Sequence, residues 1–206
     1  MNLTDTNVVP DIFTPINIVT PRLRIKPLST VSWQKVANGV LYENSFHSQM
    51  WGIKTPDDIK RSYENSLTAF ENKKGNPLVI LSPDETEVYG KTNFMNVEPH
   101  NKMIEIGGTW ISQNRQRTFV NTETKYQLLK YCFETLDIKR VEFRIDAENF
   151  ISQKAIERIG AKFEGLLRNR TINATGKSRD YKFYSIIDSD WANLKPELEK
   201  MTAHTC

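Results

Sequence analysis

Metal-binding and redox-active side chains are scarce in this chain. Its 206 residues hold two cysteines, Cys132 and Cys206, and three histidines, His47, His100 and His204, with no ligand spacing among them. A disulfide framework needs several cysteines at regular spacing, and a zinc site needs paired Cys or His a few residues apart. Neither is expected; no metal is implied, and a reducing cytoplasm fits. Long apolar runs are missing too, well short of the roughly 20 residues that cross a bilayer. The opening MNLTDTNVVPDIF has neither a basic n-region nor an apolar h-region, so a soluble, unexported cytoplasmic protein with no membrane partner is expected. The motifs GxGxxG, HExxH, CxxC and GxSxG are absent. Gly176-Lys177-Ser178 imitates the end of a Walker A loop, but Thr171 stands where its first glycine belongs and the segment reads as a hairpin turn. Excess charge is also lacking: 28 Lys and Arg against 25 Asp and Glu leave a net +3, too balanced to argue for a nucleic-acid partner. An anionic cofactor is compatible with it.

What is present describes an ordinary globular domain, with 38% hydrophobic and 26% charged residues and no composition break that would mark a second unit. Residues 1–16 read as an N-terminal arm and 17–200 as one domain. Ile18 to Leu28 reads as a first strand, and Ser29 as the cap of a helix reaching Gly39. Tyr42 to Lys54 is an aromatic-rich connection long enough to suspect a function. Thr55-Pro56-Asp57-Asp58 is a helix start, and the helix is expected to reach about Lys73 and end at Gly75. Pro77 to Ser82 and Glu87 to Val97 form a hairpin across PDET. Arg140 to Asp146 alternates as a strand, and Asn149 caps the helix FISQKAIERI, which Gly160 closes. Ala161 to Ile172 and Ser178 to Ile187 form a second hairpin, and Asp188 starts a last helix. Antiparallel neighbours followed by a helical crossover imply an α/β (α+β) protein with a mixed sheet.

The stretch that organises the rest is Met103 to Leu136. Met103 to Ser112 reads as a strand whose Gly107-Gly108 pair suggests a bulge or the close approach of a backbone or ligand. Gln113 to Val120 is a loop carrying Arg115 and Arg117, and a helix is expected from Asn121 or Thr122. Its apolar positions Tyr126, Leu129, Cys132, Phe133 and Leu136 share one face. A helix start behind a basic loop offers unpaired N–H groups and the positive end of the macrodipole, which together suit a phosphate. Strand–loop–helix units with merely solvated arginines are common in α/β proteins, so the local pattern alone leaves both readings open.

Several strings resemble the GNAT superfamily of N-acetyltransferases, in the branch of the RimJ and RimL ribosomal-protein N-terminal acetyltransferases. They are PRLRI at Pro21, EIGGTWIS at Glu105, QRTFVNTETKYQLL at Gln116, RVEFRIDAEN at Arg140 and SQKAIERIGAKFEGLLR at Ser152. The resemblance spans Thr20 to Glu199 and implies a mostly antiparallel mixed sheet flanked by helices. It further implies direct transfer of acetyl from acetyl-CoA to a primary amine, on a protein N-terminus or a small molecule. In the family the loop before the central helix holds the diphosphate of acetyl-CoA, with the pattern Q/R-x-x-G-x-G/A. Gln116-Arg117-Thr118-Phe119-Val120-Asn121 occupies it, with Phe119 in place of the usual glycine and Asn121 in place of a small residue. A positive φ is costly for phenylalanine, so the loop must close without one there. Cofactor contacts are expected from Trp110, Ile111, Gln116, Arg117, Thr118, Phe119, Val120, Asn121, Thr122 and Asn149, and Arg115 and Lys154 are further basic residues near the phosphates. The resemblance makes Glu105 the candidate general base, against the reading of a solvent-facing strand glutamate. Ile156 stands where many relatives have a tyrosine acid, so Ser152 is the substitute candidate, against ordinary capping chemistry. Phe46, Trp51, Phe94 and Tyr184 are candidate acceptor-site walls or core. Dimers are common in the branch, so a homodimer is compatible with it. Two rival readings stand beside the enzyme: a catalytically weakened GNAT-fold module that only binds CoA, and an RNA- or ribosome-associated protein using its mild basicity.

Overall fold

The computed structural model describes residues 11–39 and 50–203. The segment around Phe46 lies outside these residues. Eight strands form one sheet: β1 (Ile18–Val19), β2 (Arg24–Pro27), β3 (Gly75–Leu81), β4 (Val88–Glu98), β5 (Met103–Ile111), β6 (Arg140–Asp146), β7 (Lys162–Ile172) and β8 (Ser178–Ile187). Their order is β1-β2-β3-β4-β5-β6-β8-β7, and β5 with β6 is the one parallel pair. The mixed, mostly antiparallel sheet is therefore as the sequence suggested. Helices α1 (Trp33–Ala37), α2 (Pro56–Glu71), α3 (Phe119–Lys130), α4 (Phe150–Arg158) and α5 (Asp188–Ala203) flank it.

Local chemistry accounts for where expected boundaries shift. The first strand is two, because the Thr20 hydroxyl accepts the Arg22 and Leu23 amides and the Thr20 amide donates to the Leu23 carbonyl, folding a turn at Pro21. Ser29 falls in a 3-10 turn, and Ser32 caps α1 instead, accepting from the Lys35 amide. Helix α2 opens on a capping box between Thr55 and Asp58 and stops at Glu71; Lys73 takes the left-handed conformation (φ 53°), and Gly75 already belongs to β3. Of the expected arm, residues 11–16 are described; Ile12 and Ile16 are buried, and Asn76 donates to the Ile12 carbonyl at 2.7 Å.

The core has two layers, one on each face of the sheet. Leu78, Ile80, Phe94, Ile104 and Ile106 meet Leu128 and Leu129 of α3 and Trp191 of α5. Val79, Leu81 and Val88 meet Val36 of α1 and Ile59 of α2. Strand β3 is thus buried on both sides, and each of its four large apolar side chains contributes roughly 1.5–3 kcal/mol relative to exposure. Helix α3 is buried around nearly its whole circumference, not on one face alone. It continues into a wider turn that Leu136 closes by donating to the Tyr131 carbonyl. No helix among the described residues is long and apolar enough to cross a membrane.

Candidate active site

Strands β5 and β6 pair only at Met103↔Arg140, Ile104↔Val141 and Glu105↔Glu142. Beyond Glu105 each strand runs on, β5 to Ile111 and β6 to Asp146, without pairing to the other. The sheet therefore opens as a wedge between two parallel strands, with main-chain groups along both inner edges. Helix α3 starts after β5 and α4 starts after β6, so both helix N-termini stand at the mouth of the wedge.

A bulge sits beside the apex, where the glycine pair suggested one. Asn93 faces Gly107 and Lys91 faces Trp110, so Gly108 and Thr109 together oppose Thr92. Gly108 has φ 57°, and a Cβ there would lie 2.5 Å from the Asn93 amide nitrogen; a Cβ on Gly107 would lie 2.7 Å from Glu105 Oε1. Gly108 therefore needs glycine, and a side chain at Gly107 would have to displace the Glu105 carboxylate. The extra residue also re-aims the strand. Ile104 and Ile106 face α3 before the bulge and Thr109 and Ile111 after it, while Glu105 and Trp110 face the α2 side.

Glu105 is buried, at 5% exposure, which removes the reading of a solvent-facing glutamate. Asn96 donates to its Oε2 at 2.6 Å, and the Arg144 guanidinium pairs with the same oxygen at 3.1 Å. Burial raises its carboxyl pKa, against the lowering pull of Asn96 and Arg144. It is a carboxylate poised to take a proton more readily than an exposed one.

At the mouth, α3 starts at Phe119, two or three residues earlier than expected, because Thr118 caps it, accepting from the Val120 amide and donating to the Arg115 carbonyl at 2.6 Å. Phe119 is thus helical. The left-handed residue is Arg117, with φ 60°. The Phe119 ring packs half-buried on the core with the Arg22 guanidinium 4.3 Å above it, and Arg22 also pairs with Glu123. Arg115 is occupied by Glu87 and the Tyr89 ring, whereas Arg117, Gln116 and Lys154 are exposed. Gln116 folds back to donate to the Ile111 carbonyl at 3.1 Å. The first-turn amides of α3, other than Val120, have no intrahelical acceptor to meet. Asn121 is half-exposed on that turn, and buried Thr122 receives Arg158 from the far end of α4 at 2.8 Å, tying the start of α3 to the end of α4.

Asn149 caps α4, accepting from the Ser152 amide at 3.1 Å, and leaves the Ser152 side chain half-buried in the first turn. Ile156 is buried in the core. Two of the aromatics weighed for the acceptor site belong to the core as well: Phe94 is fully buried, and Tyr184 is buried with its hydroxyl on Glu157. Trp51 is exposed.

Residues 22–162 match the acetyltransferase (GNAT) domain family, a stretch that includes β5, the bulge, α3, β6 and α4. The chain belongs to the GNAT acetyltransferase family. It is 27% identical over 119 residues to the uncharacterized N-acetyltransferase p20 of Bacillus licheniformis, covering 58% of this chain and 66% of that protein. It is 29% identical over 106 residues to YdaF of Bacillus subtilis strain 168, which is named as a candidate ribosomal N-acetyltransferase, covering 52% and 57%. The matched stretches thus span less than two thirds of these curated relatives. Among solved structures, a candidate acetyltransferase from T. thermophilus superposes with a TM-score of 0.78 at 26% identity, over 90% of this chain and 96% of its own.

One residue of this GNAT domain does not stand out from the sequence. Lys125 is buried in α3, and its ammonium donates to Thr109 of β5 at 2.7 Å and lies 5.7 Å from the centre of the Phe143 ring of β6. It therefore bridges the two walls of the wedge. A signal for it exists: Lys125 stands four residues before Leu129 and seven before Cys132, on the apolar stripe, where a lysine has no solvent.

Proposed function

We propose that this protein is an acetyl-CoA-dependent N-acetyltransferase that passes acetyl to a primary amine, on a protein N-terminus or a small molecule, by direct attack on the thioester. The observation that carries the reading is the wedge itself, which opens at Glu105 and widens toward two helix N-termini. An extended chain of amides, such as the pantetheine arm, suits a slot with main-chain donors and acceptors on both walls. The donor set at the mouth suits a diphosphate: the free first-turn amides of α3 at Phe119 and Asn121, flanked by Thr118, Val120 and Thr122, with exposed Gln116 and Arg117 beside them. Phe119 does not obstruct this, because its ring turns toward the core and the left-handed turn falls on Arg117. Trp110 and Ile111 supply the β5 edge, and Asn149 the edge at α4.

Within that frame Glu105 takes the amine proton, directly or through a water it orients, its burial favouring the protonated product. A main-chain amide at the Gly107-Gly108 bulge holds the carbonyl oxygen as charge builds on it. Ser152 offers a hydroxyl to the departing sulfur. A serine hydroxyl is a hydrogen-bond donor and not an acid near neutral pH, so the proton itself must come from elsewhere.

Thiol release from acetyl-CoA in the presence of an amine panel, with mass spectrometry of the products, tests this reading. N-terminal peptides of ribosomal proteins go first, since the Bacillus subtilis relative is named for that substrate class. Acetylated amine with stoichiometric thiol is the expected result. The alternative is a GNAT-fold CoA-binding module with weakened turnover, favoured by the apolar, buried Ile156 in place of an acid. CoA binding by calorimetry without acetylation of any amine would establish that alternative instead.

A further inference from the structure

We propose that Lys125 is a further catalytic residue of the transfer, the donor that protonates the coenzyme A sulfur as it leaves. The inference rests on the acetyl-transfer reading above and adds to it the source of the proton.

The argument starts from placement. Lys125 lies six residues into α3, about 9 Å below the helix start by the rise of an α-helix. A chain entering at the mouth and running toward Glu105 must pass it. Lys125 comes down from α3 to both walls, bonding Thr109 on β5 and lying over the Phe143 ring on β6, so it covers the gap from the α3 face. Its neighbours are chosen oddly for a buried cation. A lysine carries three N–H donors, yet Thr109 Oγ1 is the one acceptor it meets among the described residues, and that hydroxyl is shared with Thr92 at 2.7 Å. Buried charges left with spare donors are costly, and those serving structure alone are normally paired.

The charged groups nearby do not supply that pairing. Glu105, on the opposite face of the sheet, is committed to Asn96 and Arg144, and Glu142 to Arg140 and Arg144. On α3, Glu123 holds Arg22, and from α4 Arg158 reaches Thr122. Glu105 nonetheless acts on Lys125 through space, and its field partly opposes the desolvation that brings the lysine down to about 7. A free coenzyme A thiol titrates near an ordinary thiol, at about 8.5. The two values lie close enough that amine and thiol share one proton when the sulfur sits beside the lysine, so the thiolate forms next to an ammonium at lower pH than in free solution and takes the proton as it leaves.

The step balances without further reagents. The amine nitrogen forms the new C–N bond to the acetyl carbon, and Glu105 takes the proton the amine gives up. The C–S bond breaks, its electron pair stays on sulfur, and Lys125 delivers a proton to form the thiol. Solvent exchange then returns the proton from Glu105 to Lys125. Two groups on opposite faces of the bulge thus serve the two ends of one displacement.

Lys125→Met, which keeps length and apolar bulk, is the test, with Thr109→Val as the gentler variant should Met perturb the fold. The first readout needs no turnover. Ultraviolet titration of bound coenzyme A should show the thiol ionising at lower pH than in free solution in wild type, and reverting in Lys125→Met while CoA still binds. Thr109→Val should move that titration by a smaller amount. The second readout is kinetic: kcat falls by about a hundredfold or more, the low end of general acid catalysis, with KM for acetyl-CoA little changed and the high-pH fall of the kcat profile lost. An unshifted thiol in wild type, or a kcat and pH profile that survive Lys125→Met, would overturn the assignment while leaving the acetyltransferase standing. Acetylation found on Lys125 itself would overturn it too, making the lysine a nucleophile. If the thiol shifts but no amine is acetylated, the lysine faces the sulfur and the transfer reading is what fails.

Discussion

Strand β6 has two edges built on opposite terms. Toward β8 it pairs without interruption from Arg140↔Ile187 to Asp146↔Tyr181, and the buried charge on that side is fully matched. Arg179 grips both oxygens of Asp146 at 2.6 and 2.8 Å and reaches Glu148 as well. Toward β5 the pairing stops after Glu105↔Glu142, and the buried charge in the gap is Lys125 with one hydroxyl partner. A charge matched on every side fixes register and leaves nothing to react with. A charge with spare donors beside unpaired backbone holds open a place for another molecule.

The closed edge gives the largest expected effect. Arg179→Met leaves the Asp146 carboxylate buried without its counter-ion, a change that costs about 3–5 kcal/mol when one partner of a buried pair is removed. Urea unfolding at neutral pH should show the midpoint fall accordingly. A shift within error would mean that the seam is held by its ladder alone, and the contrast between the two edges would lose its electrostatic half.

On the open edge, Glu105→Gln keeps the side-chain shape and the neighbourhood of Asn96 while removing the base. A fall in kcat of roughly a hundredfold or more is expected from the usual worth of a general base. The rise of wild-type kcat with pH should report a carboxyl titrating above its ordinary range, the direction set by burial, and should vanish in the variant. An unchanged kcat and pH profile would leave Glu105 a structural partner of Arg144.

Stability against pH sharpens the comparison without any substrate. Lys125 titrates near 7 in the folded protein because burial disfavours its charge, while in the unfolded chain it returns to about 10.4. Between those values the unfolded chain binds the extra proton, so wild-type stability should climb with pH, by up to about 1.4 kcal/mol per pH unit. Lys125→Met should lack this climb. Lys91, buried and brought to about 8 in the same direction, adds its own slope to both proteins, so the difference between them is the quantity to read. Parallel curves would show that Lys125 is not the buried cation the geometry describes.

Much of this architecture is legible in the residues. The alternation of Arg140 to Asp146, the Asn149 cap and the Gly107-Gly108 bulge all stand where local pattern puts them, because each depends on neighbours in sequence. What escapes depends on contacts made at a distance. The start of α3 reads late because Phe119 looks like a loop residue out of place, when its ring is a core residue under Arg22. Phe94 and Tyr184 are as aromatic as any pocket wall, and only packing decides that they are core. A periodicity count passes over Lys125, because it records apolar positions and skips the one lysine sitting among them.

Arg117 offers the smallest and most local test, at the mouth of the wedge. Its φ of 60° is a conformation that costs a side-chain-bearing residue roughly 1–2 kcal/mol and a glycine almost nothing. Arg117→Gly should relieve that strain but loosen the unfolded chain, which takes back roughly 0.5–1 kcal/mol. The expected outcome is a slightly higher melting temperature with the turn unchanged. Coenzyme A affinity should move the other way, and only at low salt, since an exposed guanidinium attracts a diphosphate through a field that salt screens. Opposite signs for stability and binding would mark the mouth as strained in the service of its ligand. A loss of both would mean instead that the Arg117 side chain holds the turn together, and that the backbone there is not under strain.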